Sequence, residues 1–196
     1  MRVAILASGS GTIFEAMVNG GIPVALVITD RSCRASGIAS QNDIGHVLVE
    51  RESFGNDFDR IKYTIKVRDA LLEKSIDLVV MAGFGTILEQ PLYETYKNNV
   101  LNTHPSLLPS FPGWHAVQDA LNYGVKVTGC TVHVATREVD VGPILAQKAV
   151  DVLPDDSVET LHERIKTVER RLYLQTVRDI IEEGKVVIPR WPDNFN

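Results

Sequence analysis

Short apolar runs that alternate with helix-like segments constrain the fold of this chain most strongly. Val3–Ala7, Val24–Thr29 and residues 77–82 are such runs, and their lengths suit strands better than helices. Near-continuous apolar strands are covered on both faces, which is typical of a parallel sheet between helix layers. Helical patterns over residues 35–43 and 57–75 separate the runs, so the sequence predicts repeated β-α-β units.

The second half of the chain predicts a different edge for the same sheet. Residues 125–134 and 143–152 look like two long strands, and the short connection between them suits an antiparallel pair. Residues 156–159 have the spacing of a capping box, which predicts the start of a long helix ending near Gly184. The predicted buried stripe of this helix is Leu161, Ile165, Val168, Leu172 and Val177.

We therefore predict a single Rossmann-like α/β domain over residues 1–196, with a mostly parallel sheet, an antiparallel edge and helices on both faces. A chain of this length can bury a core without metal or disulfide staples. With 44% apolar and 23% charged residues and no apolar run near the ~20 residues of a membrane span, we expect no membrane segment.

The net charge and the first residues of the sequence favour a cytoplasmic protein that binds small molecules. A net charge of −5 argues against a nucleic acid bound through a basic face. The first strand begins almost at Met1, and no signal-peptide pattern precedes it, so we expect a cytoplasmic location. Two cysteines, Cys33 and Cys130, are expected to be free thiols in such a chain.

Polar residues appear where the strand Val100–His104 ends. Side chains alternate faces along a strand, so Asn102 and His104 should share one face and Thr103 should take the other. In an open α/β sheet, ligands bind at this carboxyl edge. Pro105 prevents the strand from continuing directly into a helix. For an isolated Asn-x-His the structural interpretation is favoured, in which Asn102 caps a turn and His104 is half-buried.

A glycine loop at residues 8–12 follows the first strand and precedes a helix that starts near Phe14. Backbone amides at glycines and the amino end of a helix both favour a bound phosphate. Two alternatives are an ordinary turn and a dinucleotide fingerprint. Gly9, Gly11 and Asp30 fit the fingerprint, but Phe14 stands where it needs a third glycine. We rank phosphate binding first.

Three motifs resemble the folate-dependent formyltransferases of the glycinamide ribonucleotide transformylase family. They are Asn-Thr-His-Pro-Ser-Leu-Leu-Pro-Ser-Phe-Pro-Gly at 102–113, Gly-Cys-Thr-Val-His at 129–133 and Val-Asp-Val-Gly-Pro at 139–143. The resemblance covers essentially the whole chain. It implies transfer of a formyl group from the co-substrate 10-formyltetrahydrofolate to the amine of 5'-phosphoribosylglycinamide in purine (IMP) biosynthesis. It implies no metal, and whether the chain forms a homodimer stays open.

The resemblance also implies roles for residues at the catalytic centre. Asn102 and His104 would stabilise the oxyanion of a tetrahedral intermediate, and one such donor is typically worth ~3 kcal/mol. Asp140 would keep His104 protonated and relay protons, although by itself it looks like a turn residue. His115 and His133 would support them. We expect His104 to stand at a solvent-facing strand end, so that its replacement leaves folding intact.

The two halves are expected to bind different ligands, with residues 1–100 forming the phosphate- and nucleotide-binding half and residues 101–196 the catalytic and folate-binding half. The resemblance implies that the amides of Gly11, Thr12 and Ile13, with Lys166 and Glu169, hold the phosphate and ribose of the acceptor. Without it, Lys166 and Glu169 would be read as a surface ion pair. The family often has asparagine at the position of Ile13.

The resemblance places the folate in a pocket formed by two segments. Where the family often has Met-Arg, this chain has Gly-Thr, so an arginine contact is missing. The residues implied at this pocket are Phe84, Gly85, Thr86, Ile87, Leu88, Val139 and Asp140.

Other functions remain to be separated from this one. Methionyl-tRNA formyltransferases and formyltetrahydrofolate hydrolases carry an additional domain that we do not find here. The sequence lacks Gly-x-Ser-x-Gly, His-Glu-x-x-His and Cys-x-x-Cys, so it has no usual signature of a serine hydrolase or a zinc enzyme. The alternatives are another small phosphorylated amine as acceptor, or a non-catalytic nucleotide-binding module that uses only the glycine loop.

Overall fold

The computed structural model of the chain describes residues 1–53, 55 and 57–189. The strands in this part are β1 (Val3–Ala7), β2 (Val24–Thr29), β3 (Gly45–Leu48), β4 (Leu78–Met81), β5 (Val100–His104), β6 (Val127–Val134) and β7 (Ile144–Asp151). The helices are α1 (Thr12–Asn19), α2 (Arg34–Gln41), α3 (Arg60–Glu73), α4 (Gln90–Tyr96), α5 (Ala116–Tyr123) and α6 (Val158–Glu183), and a short 3-10 helix, Lys97–Asn99, follows α4.

The described strands pair in the order β3-β2-β1-β4-β5-β6-β7. The pairs from β3 to β5 are parallel, whereas β6 and β7 are antiparallel. The predicted mostly parallel sheet with an antiparallel edge is therefore confirmed. The chain divides into two compact units, one ending at Leu101 and the other beginning at Asn102. A single domain over residues 1–196 stays a prediction, and residues 190–196 lie outside the described part.

The first unit is built around β1, which pairs with both β2 and β4 and whose five residues are fully buried. This placement explains why its sequence is apolar without alternation.

The helix α3 begins after Asp59, whose carboxylate accepts a hydrogen bond from the backbone N–H of Lys62 at 2.9 Å. Ile61, Val67, Leu71 and Leu72 share the apolar spacing that predicts this helix, but Ile61 and Leu72 are exposed. The buried residues are Tyr63, Thr64, Val67 and Leu71. The sequence patterns do not predict α4.

The second unit contains the predicted antiparallel pair. In β6 a Cβ at position 129 would collide with the carbonyl oxygen of Lys148, so only glycine lets β7 approach this closely. At position 142, in the connection between the two strands, a Cβ would collide with the carbonyl oxygen of Val134. Gly142 therefore allows the connection to fold tightly against the end of β6.

The long helix α6 differs in two respects from its prediction. Its N-cap is Ser157, which forms a capping box with Thr160, so the capping box begins one position later than predicted. Asp156, the predicted N-cap, instead accepts two hydrogen bonds from Arg164, at 2.7 and 2.8 Å. The stripe is also different, because Val168 and Leu172 are only half-buried. The buried residues of α6 are Leu161, Ile165, Glu169, Tyr173, Val177 and Ile180.

Candidate active site

The alternation predicted for β5 is confirmed by the contacts of its side chains. The amide Nδ2 of Asn102 lies 3.3 Å from Nε2 of His133 on β6. The hydroxyl of the next residue, Thr103, donates a hydrogen bond of 3.0 Å to Oε1 of Glu169 on α6. Asn102 and Thr103 thus serve opposite faces of the strand. We call Asn102, His104, His133 and Asp140 the catalytic cluster, and all four lie in the second unit.

His104 is buried, with 5% of its surface exposed, so the expectation of a solvent-facing position was wrong. The loop after β5 covers it, and Nε2 of the ring lies 2.8 Å from the carbonyl oxygen of Phe111. On the other side, Nδ1 lies 3.3 Å from Oδ2 of Asp140. A carbonyl and a carboxylate are both acceptors. Each ring nitrogen of His104 therefore faces an acceptor oxygen.

Asp140 stands in the turn between β6 and β7, but its carboxylate points inward and only 4% of the side chain is exposed. Its backbone is left-handed, with φ at 59°. Oδ2 accepts a hydrogen bond of 2.8 Å from the backbone N–H of Gly113, and Oδ1 lies 3.7 Å from Nε2 of His133. The turn conformation thus aims this carboxylate at two imidazoles.

His133 orients the amide of Asn102. Its Nδ1 lies 3.0 Å from the carbonyl oxygen of Val134, so Nδ1 must carry the hydrogen. Burial lowers the pKa of His133 despite the nearby Asp140, which favours the neutral ring. Nε2 then offers a lone pair that accepts one N–H of Asn102. The other N–H of that amide remains available to a ligand oxygen.

His115 directly precedes α5 and is exposed. Its supporting role stays a prediction. Two backbone groups that no side-chain pattern could have indicated contact the catalytic cluster, the carbonyl of Phe111 and the N–H of Gly113.

The glycine loop lies in the first unit and ends in a left-handed residue, Gly11, with φ at 66°. A Cβ there would come within 2.9 Å of Cδ1 of Ile38 and 3.2 Å of Cα of Ala35, both on α2. Only glycine fits this position. The next residue, Thr12, begins α1, and both Thr12 and Ile13 are half-buried. The predicted order of strand, tight loop and helix is confirmed.

The buried Asp30 argues against the dinucleotide alternative. Its carboxylate accepts hydrogen bonds from Arg31 at 3.0 and 3.1 Å and from the hydroxyl of Thr86 at 2.8 Å. Burial opposes ionisation, but these bonds and one from Ser8 outweigh it and hold the pKa of Asp30 below its usual value. The carboxylate that would bind a ribose is therefore bonded within its own unit.

Gly85 and Thr86, which stand where the family often has Met-Arg, belong to the same network. The backbone N–H of Gly85 donates to the hydroxyl of Ser8 at 2.6 Å, and a Cβ at this glycine would lie 3.4 Å from Nη2 of Arg31. Thr86 and Leu88 are buried, whereas Ile87 is 45% exposed and Phe84 is half-buried. The side chains of this segment that reach the surface are thus Phe84 and Ile87.

Lys166 and Glu169 do not form the surface pair that the spacing alone would suggest. Lys166 pairs with Glu163, with Nζ and Oε1 2.8 Å apart. Glu169 is only 7% exposed and lies in the buried stripe of α6. Burial raises its pKa, and the hydrogen bond from Thr103 and the charges of Lys166 and Arg170 offset this only in part.

Replacing Glu169 by glutamine should stabilise the fold at neutral pH, because the amide removes a buried charge and still accepts from Thr103. The folded chain holds the Glu169 proton more tightly than the unfolded chain. The carboxyl therefore favours folding below the usual pKa of glutamate and loses that contribution as the pH rises through the raised value.

We expect a Tm about 2 to 4 °C higher than wild type at pH 7.5. The difference should disappear near pH 4. Thermal unfolding across this range checks it, and Glu163→Gln on the exposed side of α6 is the control. An equal gain at both pH values would contradict the effect of burial.

The described residues contain no helix long and apolar enough to cross a membrane. Nor does that part of the chain place three or more His, Cys, Asp or Glu side chains where they could hold a metal ion together. Cys33 and Cys130 are free thiols, as predicted.

A mostly parallel α/β sheet with an amide, two imidazoles and a carboxylate gathered near the ends of β5 and β6 is typical of an enzyme that combines oxyanion stabilisation with proton transfer. Residues 1–177 match the model of the formyl transferase family. The chain belongs to this family.

Known proteins are similar to this chain in sequence and in structure over most of its length. A phosphoribosylglycinamide formyltransferase of Mycobacterium tuberculosis is 41% identical over 194 residues, covering 96% of this chain and 89% of that protein. The crystal structure of glycinamide ribonucleotide transformylase 1 from Symbiobacterium toebii superimposes with a TM-score of 0.87 at 38% identity, over 96% of this chain and 91% of that one. The crystal structure of a formyltetrahydrofolate deformylase from Pseudomonas syringae gives a TM-score of 0.85 at 27% identity. The match covers 98% of this chain and 64% of that one.

Proposed function

We propose that this protein transfers the formyl group of 10-formyltetrahydrofolate to the amine of 5'-phosphoribosylglycinamide, giving the N-formyl product in purine (IMP) biosynthesis. The observation that carries the proposal is the catalytic cluster, in which an oriented amide and an imidazole with two acceptors lie beside a buried carboxylate. Relatives named for this activity that match nearly the whole chain support the choice of substrates.

The cluster suits a direct transfer between two nitrogens. The acceptor amine attacks the formyl carbon and forms the new C–N bond, and the carbonyl electrons move to oxygen. The free N–H of Asn102 and an N–H of His104 stabilise this oxyanion, each with an effect of about 3 kcal/mol. Asp140 accepts the proton of the amine, directly or through water, and passes it to the leaving nitrogen as the carbonyl re-forms and the old C–N bond breaks. Tetrahydrofolate then departs.

The ligand contacts follow the family resemblance. The amides of Gly11, Thr12 and Ile13 bind the phosphate of the acceptor, which the left-handed turn and the start of α1 favour. Lys166 adds positive charge to that phosphate, and Glu169 accepts from the ribose hydroxyls. The folate contacts are Phe84, Gly85, Thr86, Ile87, Leu88, Val139 and Asp140, with the buried Thr86 and Leu88 contributing backbone groups. A cytoplasmic location remains a prediction, and whether the chain forms a homodimer stays open.

The test is turnover of purified protein with 10-formyltetrahydrofolate, followed by the absorbance of released tetrahydrofolate with and without 5'-phosphoribosylglycinamide. We expect release only when the acceptor is present. Release without acceptor would identify a hydrolase, and no release in either case would favour a nucleotide-binding module. Substituting other small phosphorylated amines tests the alternative acceptors.

Replacing Lys166 by alanine should raise KM for the phosphorylated acceptor about tenfold, because one cation facing the phosphate is lost. The nucleoside without phosphate should be almost unaffected. Measuring kcat/KM for both acceptors checks this, with Lys66→Ala as control because Lys66 also forms a surface pair, with Glu52 at 3.5 Å. If wild type uses the nucleoside as well as the ribonucleotide, the phosphate assignment and the preferred substrate both fail.

A further inference from the structure

We propose that Arg34 positions the glycine loop for the phosphate and neutralises a carboxylate that would otherwise repel it. The proposal rests on the proposed function and names a positioning residue in the phosphate site. Arg34 is the first residue of α2. Its Nη1 donates to the carbonyl oxygen of Ser10 at 2.9 Å, and its Nη2 donates to Oε1 of Glu15 at 2.7 Å.

The first half of the argument concerns the shape of the loop. Gly11 already packs so closely on α2 that a Cβ would contact Ala35 and Ile38, and both of these residues are buried. Arg34 adds a second attachment, one residue earlier in the loop, through the carbonyl of Ser10. A loop fixed at two adjacent residues keeps its amide groups oriented before a ligand arrives, which lowers the cost of binding.

The second half concerns charge. Glu15 lies in the first turn of α1, at the end of the helix whose amides are proposed to bind the phosphate. An uncompensated carboxylate there would repel an arriving dianion. The guanidinium of Arg34 spans both groups, because one nitrogen bonds the loop and another bonds Glu15. A single side chain therefore shapes the loop and cancels the adverse charge.

Exposure separates this role from a purely structural one. The side chains of Arg34 and Glu15 are 53% and 42% exposed, and ion pairs this open to solvent contribute little to stability. We therefore expect the consequence of losing Arg34 to appear in binding of the phosphate rather than in the melting temperature.

The experiment compares Arg34→Met, Arg34→Lys, Glu15→Gln and the double variant R34M/E15Q. Arg34→Met should raise KM for 5'-phosphoribosylglycinamide about tenfold, with kcat within about twofold of wild type and no change in KM for the nucleoside. Arg34→Lys should recover part of the loss, because lysine restores the charge but not the two-point contact. Adding E15Q to R34M should also recover part, since it removes the repelling carboxylate.

The control is Arg68→Met, which removes another surface pair of the first unit, with Asp69 at 2.7 Å. It should leave both KM values unchanged. An unchanged KM for the ribonucleotide in Arg34→Met, or an equal rise for the nucleoside, would overturn the proposal. So would a double variant as weak as R34M alone.

A second measurement keeps this test independent of turnover. Inorganic phosphate should raise the Tm of the wild-type protein and should raise that of Arg34→Met much less, whatever the acceptor of the reaction is. Equal stabilisation of the two proteins by phosphate contradicts the role of Arg34. If the protein shows no turnover but phosphate shifts the two Tm values as expected, only the proposed function is contradicted.

Discussion

The variant His104→Ala should retain the fold and lose about 10² to 10³-fold in kcat, because it removes the hydrogen-bond donor that we propose for the developing oxyanion. KM values should change far less, since the ground-state substrates do not carry that charge. Because the ring is buried between Phe111 and Asp140, we also expect a loss of stability, of about 1 to 3 kcal/mol.

Steady-state kinetics with both substrates saturating, together with a thermal melt, separates the two effects. His46→Ala is the control, since this exposed histidine makes a side-chain hydrogen bond of 2.9 Å to Thr29 in the first unit. His104→Gln offers a second test, because glutamine can fill part of the space with an uncharged amide. Near-wild-type kcat in a folded His104→Ala protein would remove His104 from the chemistry.

The variant Asp140→Asn should fold like wild type and lose at least about 10²-fold in kcat. Asparagine tolerates the left-handed backbone that position 140 requires, at φ 59°, and its oxygen can still accept from Gly113. What disappears is the carboxylate that faces Nδ1 of His104 and that we propose as the acceptor of the amine proton.

Asp43→Asn is a close control, because Asp43 also has a left-handed backbone, at φ 54°, but is exposed in the first unit. It should leave kinetics and Tm unchanged. Binding of both ligands to Asp140→Asn, measured by titration calorimetry, should remain near wild type. If the only defect is weaker folate binding, Asp140 belongs to the binding site and not to proton transfer.

Strand positions could be predicted from sequence because local patterns determine them. The limits of Val3–Ala7 and Val24–Thr29 agree with their apolar runs, since a polar residue follows each run, and Val100–His104 ends directly before Pro105. Alternation along β5 was equally reliable, and it placed Asn102 and Thr103 on opposite faces.

Features that depend on distant partners could not be predicted in this way. Glu169 occupies a core position of α6, but a pattern that counts only apolar residues excludes a carboxylate whose partner, Thr103, lies 66 residues earlier. The burial of His104 depends on the loop after β5, which folds back and places the carbonyl oxygen of Phe111 against the ring. The capping box begins one residue later than predicted because Asp156 is hydrogen-bonded to Arg164, about two turns into the helix.

The carbonyl of Phe111 occupies the place at His104 that the proposed mechanism gives to the substrate oxygen. It accepts a hydrogen bond from Nε2–H of His104 at 2.8 Å, from a residue whose φ of 53° is unfavourable for an aromatic side chain. A ligand oxygen that accepts from Nε2–H instead exchanges one acceptor for another, so the number of hydrogen bonds is conserved. The hydrogen bond to Phe111 thus holds the imidazole in one orientation.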